Sequence, residues 1–542
     1  MGAPRDIAGD TPHLGDVVIA APSPGAPLEV ERRRRIVLRA TVVSGVLIAL
    51  GSVLGLLRDL ILARYFGASG ASDAFLVAWT IPETASPLLI EDAMSFLLIP
   101  AFTRALLEGD AAVRQLVRRT LPRVFGLLML LGGVCATISP LLVTVLAPGL
   151  ADPDLAVQCM RLTSISVLTL GMTGYLAAAL RAHGIFGPPA AIYIANNVGI
   201  IALIVLLHGR LDVVSAALGV AVGGVLMVGV QLPSFLRKVV PAVRARVTVQ
   251  AATGAALVTF GAFVPIALYT LTRQAQVFVE RFLGASLDPG TISHLNYAQK
   301  VGQLPVTLTL VILLVTFPAL AASIAAGDRE KVRGRIETDL RTVSLLVLPA
   351  TAYLVAFAPA VVRVLFQQGE FTASDTEATA AVLRMYALGL LGQGLVGVLC
   401  RCFFSLRSTW YPARLMAVGL LVTAVVGAVA SPVFGAPALA AANAVGITVT
   451  AVLMLRGVSG RVVPVSATAM AGMVARLLVP AGVACAAGLA MIPLLSGMPS
   501  IMVVILGGVL VASVYVGVLT VTDREGIRQM RALMTEGVRR AS

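Results

Sequence analysis

Leu62-Ala-Arg-Tyr-Phe-Gly-Ala-Ser69 and Val279-Glu-Arg-Phe-Leu-Gly-Ala-Ser286 are two versions of one phrase, set 217 residues apart. Pro100-Ala-Phe with Gly109-Asp110 is echoed by Pro318-Ala-Leu with Gly327-Asp328 at nearly the same spacing. Two echoes at one offset argue for an internal duplication. The offset spans six apolar runs, an even number, so the halves have parallel orientation and are related by an axis along the membrane normal. That the setting is a membrane follows from composition. Of 542 residues, 58% are apolar and 13% charged, and the mean hydropathy is +0.94. Soluble domains carry about 25% charged residues. The runs reach the length of about 20 residues that a crossing helix needs, and they lack the alternation of an outer-membrane barrel.

Segmenting at loop signals places spans at 39–66, 73–103, 123–147, 156–180, 187–207, 213–236, 253–284, 290–324, 342–366, 378–404, 411–432, 436–455, 472–495 and 499–521. The expected fold is all-α and polytopic, with about fourteen transmembrane helices in two parallel, pseudo-symmetric six-helix lobes plus two C-terminal helices. The expected units are a disordered cytoplasmic tail (1–35), an N-lobe (36–246), a C-lobe (247–458), spans 13 and 14 (459–521) and a basic tail (522–542).

The net charge of +14 would suggest nucleic acid in a soluble protein. Here most of the cations fall in alternate loops: Arg32 to Arg35 before span 1, Arg114, Arg118 and Arg119 after span 2, Arg329, Lys331 and Arg333 after span 8, and Arg539 and Arg540 at the end. By the positive-inside rule these loops and both termini are cytoplasmic, in a plasma membrane, and the charge reads as topology without a nucleic-acid partner. Cys135, Cys159, Cys400, Cys402 and Cys485 lie in apolar segments without metal or redox spacing and read as packing residues. The first 35 residues lack the short apolar core of a removable signal peptide.

No phosphate loop, GxSxG or HExxH occurs, and His13, His183, His208 and His294 are scattered. Neither ATP hydrolysis, nor an enzyme, nor a metal site or other cofactor is expected. Charges inside spans are expensive and each needs a partner, water or a ligand. Lys300 lies ten residues inside the loop at Pro289-Gly290, about 15 Å deep and near the midplane. It either contacts a ligand or pairs with a carboxylate of span 2. Glu83, Glu91 and Asp92 are those carboxylates, set in a helix interrupted by Pro82 and Pro87, and they face a wet cavity or pair with cations. Arg273, Gln276 and Glu280 form one polar stripe on span 7 that should face the space between lobes. Arg58 is either a ligand contact or the partner of Asp73, since its neighbour Asp59 should not share its face. Arg64, Arg161, Arg210, Arg281, Arg363 and Arg384 read as interface anchors near span ends.

Ser52-Val-Leu-Gly-Leu-Leu-Arg-Asp59, Ala63-Arg-Tyr-Phe-Gly67, Ser72-Asp-Ala-Phe75 and Ile81-Pro82 resemble the opening of the MurJ/MviN family of lipid II flippases in the MOP exporter superfamily. The resemblance resumes at Tyr297-Ala-Gln-Lys-Val-Gly-Gln-Leu-Pro305 and at Leu365-Phe-Gln-Gln-Gly-Glu-Phe-Thr372, and so covers nearly the whole membrane domain. It implies a carrier that moves a polyprenyl-diphosphate-linked saccharide from the inner to the outer leaflet by alternating access. It also implies that Arg58 and Lys300 match substrate-binding cavity arginines of the family and Asp73 its aspartate after the turn, to which Arg273 is added from the midplane argument. Cell-wall synthesis enzymes would be its partners, with an ion or the membrane potential as driving force. The departures are Ser52 and Ser86-Pro87, where the family has arginines, and Gln299-Lys300 in place of Asp-Arg. They point to a related polyprenyl-linked glycan or another amphiphilic anion as cargo. Residues 411–455 contain no Asp or Glu, which argues against the sodium site of some relatives although Glu280 remains. A multidrug or small-metabolite antiporter and a non-transporting envelope scaffold are the competing readings.

Overall fold

Over its described residues each expected span coincides with helix in the computed structural model, which describes residues 26–239, 260–314, 328–405, 410–461, 467–523 and 526–528. Helix α1 (Ala26–Phe66) is span 1; α2 (Gly70–Ser86), a π-helical turn (Pro87–Ala93) and α3 (Met94–Glu108) make span 2. Spans 3 to 6 are α4 (Asp110–Thr137) with α5 (Ser139–Leu146), α6 (Pro153–Thr163) with α7 (Ile165–Ala182), α8 (Gly187–Ala190) with α9 (Ile192–Leu211), and α10 (Val214–Lys238). The second lobe comprises α11 (Phe260–Gly284), α12 (Thr291–Leu314), α13 (Arg329–Phe366), α14 (Ala373–Ser405), α15 (Trp410–Phe434) and α16 (Ala436–Arg461). Helices α17 (Ala467–Met491) and α18 (Ser500–Thr522) complete the chain's spans. Residues 253–259 and 315–324 of the expected spans 7 and 8 lie outside the described residues, as do 1–25 and 529–542 of the expected tails. Helix α1 begins at Ala26, inside the stretch read as a tail, where Pro27 suits a first turn and Glu29 and Glu31 precede Arg33 and Arg35 at the four-residue helical spacing.

Helices α1, α6, α7 and α10 pack against α2, α4 and α7 against α3, and α9 against α1 and α10; α11 to α16 pack on one another, with α17 and α18 laid against α13. The lobes meet where α2 and the π-turn pack on α11 and α12. Eleven segments among the described residues are long and apolar enough to cross a membrane. Spans 2, 7 and 8 are not among them, and these are the spans that form the lobe contact and carry Glu83, Glu91, Asp92, Glu280, Arg281 and Lys300. On the periphery Leu130, Val429 and Val509 are 63%, 74% and 60% exposed, a surface that only lipid can cover. Asp328 caps α13 by accepting from Lys331 N–H at 3.1 Å, and its hydrogen bond with the Lys331 side chain holds its carboxyl below the ordinary range.

Inside the spans, proline removes a backbone donor and frees the carbonyl four residues earlier, which in lipid must find another partner. Three such carbonyls find side chains from neighbouring helices. Pro82 frees Ala78 O, which accepts from Thr163 Oγ1 at 3.1 Å. Pro87 frees Glu83 O, which accepts from Gln274 Nε2 at 3.3 Å, a bond between lobes. Pro359 frees Val355 O, which accepts from Arg384 Nε at 3.1 Å, beside the non-helical Phe357 that kinks α13. Arg384 therefore has a partner within the protein and does not serve as an interface anchor.

Candidate functional site

The turns between spans 1 and 2 and between spans 7 and 8 are the two copies of the repeated phrase, and they close on each other. Ser69 and Ser72 form a capping box that starts α2 and sets Asp73 in its first turn. Asp73 Oδ2 accepts from Gly290 N–H at 2.8 Å, and Oδ1 accepts from Ser293 N–H at 2.7 Å and from Ser293 Oγ at 2.6 Å. A carboxylate of one lobe thus satisfies the free amides at the start of α12 in the other, where the helix dipole favours negative charge. Glu370 N–H donates to Arg64 O at 2.9 Å and Tyr297 hydroxyl to Gly67 O at 3.2 Å. Gly290 (φ +92°) and Gly369 (φ +63°) are required here, because a side chain at either would run into the backbone of Ala68 or Arg64. This seam is a latch at one end of the bundle.

Below the latch lies a cavity of about 250 Å³ lined by Arg58, Trp79, Glu83, Tyr193, Asn197 and Lys300, together with Ser86, Pro87, Asn196 and apolar groups. Lys300 Nζ donates to Glu83 Oε1 at 2.8 Å, so the pairing with a span-2 carboxylate is present. Arg281 Nη2 stands 4.0 Å from Glu83 Oε2, and its Nη1 donates to Ile292 O at 3.2 Å. Arg58 donates from Nε and Nη2 to Asp59 Oδ1 at 3.0 and 2.7 Å and lies 5.2 Å over the Trp79 ring.

Several expectations are corrected by this arrangement. Arg58 pairs with Asp59, because its long side chain lies along Trp79 and turns back to its neighbour, while Asp73 is occupied by α12. Arg281 is buried (2% exposed) and reaches Glu83, because the start of α12 folds over the end of α11. Glu280 does not face the space between lobes: it is buried and accepts from Asn443 Nδ2 of α16 at 2.8 Å. Arg273 is exposed on α11, two turns from Arg281, and does not line the cavity that holds Arg58 and Lys300. Glu91 is exposed and accepts from the Tyr193 hydroxyl at 2.9 Å. Asp92 lies on the π-turn and its side chain is outside the described residues. Asn197 and Tyr193 were not singled out from sequence, and Arg281 was read there only as an interface anchor. The adjacent amides Asn196-Asn197 within an apolar span were the available signal.

A model of the lipid II flippase MurJ family matches residues 62–508. The lipid II flippase MurJ of Burkholderia cenocepacia is 28% identical over 422 residues, covering 76% of this chain and 82% of that protein. A probable lipid II flippase MurJ of Aquifex aeolicus is 26% identical over 404 residues, covering 72% and 77%. A solved lipid II flippase MurJ in an inward closed conformation superposes with a TM-score of 0.71 at 19% identity, covering 89% of this chain and 99% of that one. An inward-facing multidrug resistance MATE family transporter of the MOP superfamily gives 0.60 at 13% identity, covering 80% and 99%. At these identities the structural likenesses concern the fold.

Proposed function

The chain belongs to the lipid II flippase MurJ family, and from that premise we propose that it carries lipid II or a related polyprenyl-diphosphate-linked precursor from the inner to the outer leaflet by alternating access. The observation that carries this reading is the cavity beneath the latched end, walled by helices of the first lobe and by Lys300 of the second, into which Lys300 and Arg58 bring positive charge. A diphosphate taken out of water needs charged donors, whose hydrogen bonds are each worth roughly 1.5–3 kcal/mol. Cations at this depth suit an anionic cargo better than a cationic drug. With the latch shut, the cavity is smaller than the roughly 300–1,000 Å³ of drug-sized pockets. It has room for the diphosphate, and the saccharide needs space that forms as the lobes part. In this reading both termini are cytoplasmic and the latch faces outward, as the arginine-rich loops require.

The test is a leaflet-translocation assay with fluorescent lipid II in proteoliposomes. The wild-type protein is expected to translocate it, Lys300→Ala to abolish transport at near-normal protein levels, and Lys300→Arg to retain much of it. Absence of translocation by the wild type would overturn the assignment of cargo. Normal transport by Lys300→Ala would remove Lys300 from the site.

A further inference from the structure

Glu83 is placed unlike a structural ion-pair partner. It sits in α2 between Pro82 and Pro87, followed by a π-turn, the kind of segment at which helices flex. Its backbone carbonyl is held separately by Gln274, so the side chain can move without the helix losing that bond. Two cations of the opposite lobe, Lys300 and Arg281, converge on this one carboxylate. Only half of it is well bonded: Oε1 has Lys300 at 2.8 Å, whereas Oε2 has no hydrogen-bond partner and faces Arg281 Nη2 at 4.0 Å. Arg281 Nε, on a buried side chain, likewise has no acceptor. A buried guanidinium with an unused donor beside a half-bonded carboxylate leaves hydrogen-bonding capacity that an anion with more oxygens could fill.

Resting on the flippase reading, we propose that Glu83 is an internal stand-in for the cargo's diphosphate, which neutralises Lys300 and Arg281 when the carrier is empty and gives way when cargo binds. The reason is electrostatic. Closing the latch brings Lys300 and Arg281 against Arg58 and the α2 wall in a medium of low dielectric, where like charges repel strongly. A loaded carrier closes on the diphosphate. An empty one has to return without it, and Glu83 supplies the anion for that step. Glu83 is thus a competitor of the cargo and the element that permits the empty carrier to reset.

The experiment uses Glu83→Gln, which keeps the shape and removes the charge, in a full-length protein carrying cysteines at Gly70 and Pro289 of the latch. Latch closure is read as the rate of disulfide formation without and with lipid II, alongside lipid II affinity. The expected result is that Glu83→Gln slows cross-linking of the empty protein about tenfold, the scale set by one lost charge-assisted bond. Lipid II should restore the rate, and its affinity should rise, because the competing anion is gone. An unchanged cross-linking rate overturns the proposal. So does a slowed rate that lipid II does not restore, which would make Glu83 merely structural. Loss of lipid II binding in Glu83→Gln overturns it too, and the double variant Glu83→Gln/Lys300→Gln then separates a lost contact from a lost fold. If the wild-type protein itself binds no lipid II, it is the flippase reading that fails.

Discussion

Arg384 shows how a charged residue within a span can be spent on architecture. The kink at Phe357 and the proline at 359 leave Val355 O without its helical donor, and the guanidinium of the adjacent helix provides one at 3.1 Å. Removing it with Arg384→Met leaves a half-buried carbonyl without a protein donor, at a cost of about 1 kcal/mol. Thermal unfolding in detergent should fall by several degrees. Pro359→Ala returns the missing N–H to the helix, so the double variant Pro359→Ala/Arg384→Met should recover part of that loss. Strictly additive losses would show that Arg384 does not serve this carbonyl. The same scale explains why Arg58 pairs with Asp59 and not with Asp73. Neighbouring residues on a helix point about 100° apart, but a long side chain folded along Trp79 bridges that angle, and the wall against which it folds is a product of packing.

Span 2 is the element on which the mechanism turns. Pro82 and Pro87 marked it as interrupted, yet the helix continues: the π-turn absorbs the mismatch, and Thr163 and Gln274 take over the freed carbonyls. Its first turn is tied to α12 through Asp73, and its middle to α12 and α11 through Glu83. The latch therefore has to part for cargo to leave on that side. A Cβ placed on Gly70 would lie 3.9 Å from Pro289 Cβ, within the separation of about 3.5–4.5 Å that a disulfide needs. Gly70→Cys/Pro289→Cys should form that bond on oxidation, stop lipid II translocation, and regain it on reduction. Transport that persists in the fully oxidised protein would show that the latch need not open. The native cysteines are buried or half-buried, and none is near this seam by sequence.

At the scale of the whole molecule, two lobes of parallel orientation meet at a charged seam inside a lipid-facing periphery of Leu and Val, the arrangement on which the proposed alternating access rests. Its orientation can be tested directly. An impermeant thiol reagent applied to intact cells should label Glu370→Cys, which is exposed beside the latch, and leave Glu330→Cys at the start of α13 unlabelled. The reverse pattern would invert the carrier and, with it, the direction assigned to cargo movement.

The spans, the duplication and the membrane setting follow from the chain alone, because bilayer thickness and the need to bond every backbone group inside lipid act on one segment at a time. The depth of Lys300 and its pairing with span 2 were legible for the same reason: both are distances along helices. The remaining partners lie at distances across helices, which spacing along one chain does not encode. Packing of α12 over α11 turned Arg281 from a surface anchor into a buried contact of Glu83. Rotation of α11 sent Glu280 to Asn443 of α16 and left Arg273 outside the cavity, although Glu280 and Arg273 share one helix with Arg281. Closure of the two repeated turns on each other gave Asp73 to the α12 amides and left Arg58 to Asp59. Each of these outcomes was decided by which helix faces arrive opposite one another, and that is set only when the lobes dock.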